Sequence, residues 1–203
     1  MVDPATLAAF ALTSLLIELT PGPNMAYLAL IAATEGRRPG YAAVAGVAVG
    51  LAVVGLAAAV GLTAVITASP FAYQALRWGG VAYLLWLAWQ GWRGADEAAE
   101  HAKAGSSLAL FFRRGLITNL LNPKAAVFYV AVLPGFLPPA ARLIDALTLT
   151  AIYVAVATAV HGGLVTAAGA ARDWLANTAR ETALRRGLSL ALVGVAVWVV
   201  WKT

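Results

Sequence analysis

From Pro39 to Leu76 the sequence contains no charged residue. An upright membrane helix takes roughly 20 apolar residues at ~1.5 Å rise each. The stretch is therefore too long for one span, and Ser69 and Pro70 punctuate it, so it reads as two helices joined by a tight turn. The rest of the chain agrees. Hydrophobic residues make up 62% and charged residues 11%, whereas soluble domains carry about 25% charged residues. The pattern is that of an all-α polytopic membrane protein. The absence of cysteine excludes disulfide frameworks, thiolate metal sites and cysteine nucleophiles.

Charged residues mark the gaps between apolar stretches, and six transmembrane helices result, near residues 5–33, 41–68, 71–92, 109–137, 146–170 and 185–201. The first begins Met1-Val2-Asp3-Pro4 with no basic flank and continues to Thr34, so it reads as a retained span and not as a signal peptide. One polar segment, GADEAAEHAKAGSS from Gly94, separates three spans from three. The reading is one membrane domain over 1–203: a first three-helix repeat at 1–93, a cytoplasmic linker at 94–108 and a second three-helix repeat at 109–203.

The basic residues orient it. Arg37, Arg38, Arg93, Lys103, Arg113, Arg114, Arg172, Arg180, Arg185 and Arg186 all fall in loops after spans one, three and five, against Arg77, Arg142 and Lys202 on the other side. By the positive-inside rule both termini face outside, the periplasmic side. The net charge of +5 thus reflects loops facing anionic lipid, and no nucleic-acid-binding face is formed. Because three spans make each half, the second half enters from the opposite side, as in the inverted repeats of many transporters.

Two spans should be broken. Span one holds Thr20-Pro21-Gly22-Pro23-Asn24, and span four holds Asn119-Leu120-Leu121-Asn122-Pro123-Lys124. A proline in a helix interior costs about 3 kcal/mol, and lipid cannot satisfy the carbonyls it frees. Pro23 after Gly22, and Pro123 after Asn122, suit the first helical position with an N-cap before it. Each restart places free N–H groups and a positive dipole end inside the membrane, which attracts an anion. Counted from their inner ends, both breaks lie roughly 15 to 20 Å deep. Such a pair in matching positions of two halves is the best sequence pointer to a transported substrate's site.

The runs TPGPNMAYLAL (20–30), GRRPGYAAVAGVAVG (36–50), GVAYLLWLAWQGWR (80–93) and GLITNLLNPKAAVFYVAVLPGF (115–136) resemble the LysE/RhtB family of amino-acid exporters. The likeness covers most of the chain, in order. It departs at Gly135, where that family often has glutamine. The resemblance implies an exporter of amino acids or their derivatives in the bacterial inner (plasma) membrane, driven by proton influx and homodimeric; no cofactor is expected.

Within the spans, ionisable groups are costly and are functional candidates by default. Glu18 stands two residues before the first break. It can hold a substrate ammonium, carry the coupled proton, or form a structural ion pair with Lys124. Lys124 can equally bind a substrate carboxylate or neutralise Glu18. One negative and one positive group complement a zwitterion, which favours neutral or weakly polar amino acids. With Gly22, the residues Asn24, Asn119 and Asn122 are expected to satisfy backbone at the breaks and to contact substrate. His161, mid-span, can relay protons or bond between helices. Gly46 and Gly50, extended by Gly55 and Ala59, form a small-residue stripe for packing within the protomer or across a dimer.

The alternative is export of a metal ion or another small solute. A cation needs several converging carboxylate, imidazole or thiolate ligands, and the spans offer Glu18 and His161 with Asp145 at an edge, so no metal site is expected. No paired-Asp, HExxH or GxSxG motif suggests an enzyme. The expected partners are an amino acid, protons and lipid.

Overall fold

The computed structural model describes residues 2–20, 22–61, 69–93, 107–138 and 141–174, together with 183, 186–187, 189–194, 196–197 and 201. Pro21, the linker at 94–106 and part of the sixth expected span lie outside the described residues. Among the described residues there are helices and no strand: α1 (Pro4–Glu18), α2 (Pro23–Thr34), α3 (Arg37–Ala59), α4 (Pro70–Arg93), α5 (Leu108–Leu120), α6 (Pro123–Val127) and α7 (Leu143–Trp174).

The helix starts follow local chemistry. Asp3 caps α1, its side chain accepting from the amides of Ala5 and Thr6, with Pro4 at the first helical position. Asn122 caps α6 in the same way, its Oδ1 accepting from the Lys124 amide at 3.0 Å ahead of Pro123. Pro23 opens α2 after Gly22, which supplies no side-chain cap. The turn from α2 to α3 passes through Gly36 at φ 99°, a left-handed conformation that a Cβ would strain.

Helix α3 and Leu143–Ala170 of α7 are each long and apolar enough to cross a membrane. Pro4–Glu18 with Pro23–Thr34, bent by 63°, and Leu108–Leu120 with Pro123–Phe136, bent by 52°, reach that length as pairs, which gives two to four candidate spans among the described residues. Helix α4 falls short of the same measure, because Gln74, Arg77, Gln90 and Arg93 dilute its apolar residues. After α6 the chain does not run on as a plain helix. Phe128–Val132 is a π-turn and Leu133–Phe136 a 3₁₀ turn. Pro134 has no N–H for the ladder and its ring crowds the preceding turn, so the backbone widens before it.

Helix α7 is the spine against which α1, α2 and α3 pack, while α3 also lies along α5. The α3–α5 crossing is tight at backbone level: a Cβ on Gly46 would strike the Phe112 carbonyl, and one on Gly115 would strike that of Ala43. A Cβ on Gly50 would come 2.8 Å from Asn119 Nδ2, and one on Gly55 would strike Tyr129 and Thr150. The small-residue stripe is thus used within the protomer. The core is aromatic where the elements meet: Phe128 stacks on Tyr153 with centroids 3.7 Å apart, Tyr129 meets Tyr153 edge-on at 5.4 Å, and Phe10 lies 5.8 Å from Phe128.

Candidate functional site

The end of α1 and the starts of α2 and α6 converge on the flank of α7. Past Glu18 the α1 ladder stops, and its last turn closes through the Leu19 amide on the Leu15 carbonyl and the Thr20 amide on that of Ile17. Lys124, the second residue of α6, supplies a further donor. Its ammonium donates to the carbonyl oxygens of Ile17 at 2.8 Å and Thr20 at 2.9 Å. A cation at a helix C-terminus also suits the dipole there. One side chain thus ties the two helix interruptions together, with Gly22 beside its stem: a Cβ there would lie 3.4 Å from Lys124 Cδ.

Glu18 points the other way, into α7. Tyr153 Oη donates to Glu18 Oε1 at 2.6 Å, and His161 Nε2 stands 3.2 Å from Oε2. The latter contact lacks the alignment of a straight hydrogen bond, and His161 Nδ1 has no hydrogen-bond partner although the ring is buried. Tyr153 and His161 are eight residues apart on α7 and present their polar atoms to the same carboxylate. Glu18 forms no ion pair with Lys124 among the described residues. An ammonium has three donors and Lys124 spends two on carbonyls.

Glu18, Gly22, Asn24, Asn122, Lys124 and His161 line one cavity, joined by Met25, Ala125 and Tyr153. Its free space is about 10 Å³, enough for about one water. Asn119 is not in this lining. It is fully buried against Gly50, and its Oδ1 accepts from Asn24 Nδ2 at 2.9 Å. Asn24 Oδ1 and Asn119 Nδ2 are left buried without partners. Pro23 and Pro123 each open a helix at the edge of the cavity. Tyr153 and Met25 were not singled out in the sequence. The one signal for Tyr153 was its place on the His161 helix, two turns away.

Among the described residues no three His, Asp or Glu side chains come together as a metal-binding group. Asp145 closes the first turn of α7, its Oδ2 accepting from the Arg142 amide at 2.9 Å.

Apolar helices interrupted around a buried carboxylate and a half-buried lysine define a helical membrane protein with a polar site inside its bundle. The chain belongs to the LysE type translocator family, which it matches over residues 15–203. It is 33% identical over 190 residues, 92% of both chains, to the homoserine/homoserine lactone efflux protein of Salmonella typhimurium. To the leucine efflux protein of Klebsiella pneumoniae it is 34% identical over 150 residues, 67% of this chain and 68% of that one. An uncharacterized membrane protein of Vibrio cholerae is 34% identical over 134 residues, 64% of each chain. No solved structure gives a significant match.

Proposed function

We propose that this protein exports a neutral amino acid, or a derivative of one, across the bacterial inner membrane in exchange for protons. The observation that carries the reading is the Lys124 side chain, donating to Ile17 and Thr20 across the two interruptions with the Glu18 carboxylate beside it. A family of translocators supports the general class, and relatives named for homoserine, homoserine lactone and leucine efflux support the substrate class.

The mechanism is alternating access. The chain forms six spans as two inverted three-helix repeats, with both termini outside and the interrupted spans one and four facing each other at mid-depth. Substrate arrives from the cytoplasm. Its ammonium takes the place of the Tyr153 hydroxyl or the imidazole on Glu18, and its carboxylate meets the third Lys124 N–H and the uncapped N–H groups opening α2. A cavity of about 10 Å³ cannot hold an amino acid, so the geometry described is the contracted site, and loading must part α1 from α6. Glu18 and His161, with one 3.2 Å contact between them, carry the returning proton when substrate leaves. A homodimer remains part of the proposal, but its interface must use a face other than the Gly46–Gly50 stripe.

The test is efflux from vesicles loaded with a mixture of amino acids, with and without a protonophore. Efflux of one or a few neutral amino acids that collapses with the protonophore is expected. Glu18→Gln should abolish it while the protein still inserts, and normal export by that variant would remove Glu18 from the mechanism. Export of a metal ion with no amino acid would overturn the reading.

A further inference from the structure

A second cavity, of about 390 Å³, lies between α4 and the helical residues 189–194. Leu85, Trp89 and Trp92 line it from α4, at the three- and four-residue spacing that keeps side chains on one helix face, and Ser189, Leu190 and Val193 line it from the other side. It is far roomier than the cavity beside Glu18 and Lys124. Its chemistry does not suit an amino acid: no side chain of the lining is charged, so a zwitterion entering it would shed water and gain no ionic partner.

Two observations point to a ligand that is anionic at one end and apolar over the rest. The guanidinium carbon of the exposed Arg186 lies 5.3 Å over the Trp92 ring at the end of the groove. The ring supports one face of the guanidinium, and its edge of N–H donors matches a phosphate in a bidentate manner. Ser189, three residues further along, is 1% exposed, and its Oγ has no hydrogen-bond partner. A buried hydroxyl left unpaired is costly, and a helical serine ordinarily escapes that cost by bonding back to the carbonyl four residues earlier. Ser189 does not, and it stands in the cavity wall. From Arg186 to Val193 the helix advances ~10 Å. Along it come a cation, then a buried hydroxyl, then only hydrocarbon and indole, which is the order of phosphate, ester carbonyl and acyl chain in a phospholipid.

We propose that this groove binds one anionic phospholipid of the surrounding bilayer, with its phosphate on Arg186, an ester carbonyl on Ser189 Oγ and one acyl chain between Leu85, Trp89 and Val193. A net negative head group is favoured because the lining offers no carboxylate to hold a choline or an ammonium, and because Arg185 adjoins Arg186 in the sequence. The inference needs only the membrane-protein fold and does not depend on which solute is exported.

The full chain in detergent is titrated with phosphatidylglycerol or phosphatidylcholine of the same acyl chains, retained lipid is counted by native mass spectrometry, and the melting midpoint is followed in parallel. One phosphatidylglycerol per chain is expected, held about fivefold or more tighter than phosphatidylcholine and raising the midpoint. Arg186→Gln should bring phosphatidylglycerol down to the level of phosphatidylcholine. Ser189→Ala should weaken both lipids severalfold yet leave the midpoint in lipid-free detergent unchanged or higher, because it removes an unpaired buried hydroxyl. Leu190→Trp, at an exposed position of the lining, fills the groove and should exclude both lipids. Equal retention of the two lipids by the wild type, or phosphatidylglycerol retention that survives both Arg186→Gln and Leu190→Trp, would overturn the site. A wild type that retains no lipid and forms a dimer that Leu190→Trp dissociates would assign the groove to a second copy of the chain, and would overturn the lipid proposal.

Discussion

Tyr153 donates its hydroxyl hydrogen to Glu18 Oε1 at 2.6 Å while its ring stacks on Phe128 with the planes 13° apart. The stack fixes the ring, so the hydroxyl is aimed before any substrate arrives. The carboxylate is thereby held by α7, on the side away from Lys124. A substrate ammonium that binds Glu18 must compete with a preset neutral donor and not with a lysine, and the proposed transport cycle gains a defined step: exchange of a phenol for an ammonium on one carboxylate oxygen.

Tyr153→Phe therefore isolates that step. The ring and its stack remain, and only the donor is lost. Leaving one buried acceptor less satisfied costs roughly 1–3 kcal/mol, so a modest drop in thermal midpoint is expected. The export rate should fall about tenfold, because Glu18 is left to the imidazole alone. The comparison is vesicle efflux against detergent melting for the same preparation. Full export by the phenylalanine variant would make the Tyr153 contact purely structural.

Lys124→Met should behave in the opposite proportion. The variant keeps most of the aliphatic stem against Gly22 but strips the ammonium donor from the Thr20 carbonyl and from that of Ile17, which retains the Thr20 amide. Hydrogen bonds to charged groups are worth roughly 1.5–3 kcal/mol each, and lipid offers no replacement donor. Lys124→Met is expected to lower the melting midpoint more than Glu18→Gln does. A variant that melts like the wild type would mean that water caps those carbonyls equally well.

Much of this site was legible because charge is expensive in an apolar span: Glu18, Lys124 and His161 stand out in the sequence for that reason alone, and they line one cavity with Gly22, Asn24 and Asn122. The helix starts at Pro23 and Pro123 follow from the chemistry of the first helical position. What the sequence hides is pairing. Lys124 bonds to main-chain oxygens, which no residue letter reports, and a tyrosine in a span reads as core, so Tyr153 passes unnoticed. Asn119 sits close to Asn122 in the sequence yet turns away to Gly50, because a residue four positions before the helix restart at Pro123 still belongs to the previous helix. The π-turn at Phe128–Val132 depends on how Pro134 is accommodated in three dimensions.

At the start of α1, Asp3 gives a pH dependence of known sign. The Thr6 hydroxyl, at 2.6 Å from Oδ2, and then the Thr6 amide hold the Asp3 carboxyl below its ordinary value of 3.8. A depressed carboxyl pKa contributes stability that is present in full above that ordinary value and is lost as the pH falls through the lowered one. The first turn of α1 should therefore exchange its Ala5 and Thr6 amide hydrogens in a pH-independent pattern, once intrinsic rates are removed, down to about pH 4, and open below it. Asp3→Ala should show the open pattern at every pH, and an unchanged profile in that variant would rule out the cap as its cause.

The α3–α5 crossing makes the sharpest steric prediction. Gly115 faces the Ala43 carbonyl, and Gly46 faces that of Phe112, so each helix presents a glycine to the other's backbone. Backbone cannot move aside as a side chain can, and overpacking at such a point costs about 1–3 kcal/mol. Gly115→Ala should therefore lower the melting midpoint clearly, and because α5 ends at the Asn119–Asn122 interruption, it should also disturb the cavity and slow export. Gly163→Ala is the matched control on α7, where nothing lies within 4 Å of the added carbon. There the change should be neutral or stabilising by roughly 0.5–1 kcal/mol. Equal midpoints for the two variants would mean that α3 and α5 separate readily, and that the crossing does not fix the position of the second interruption.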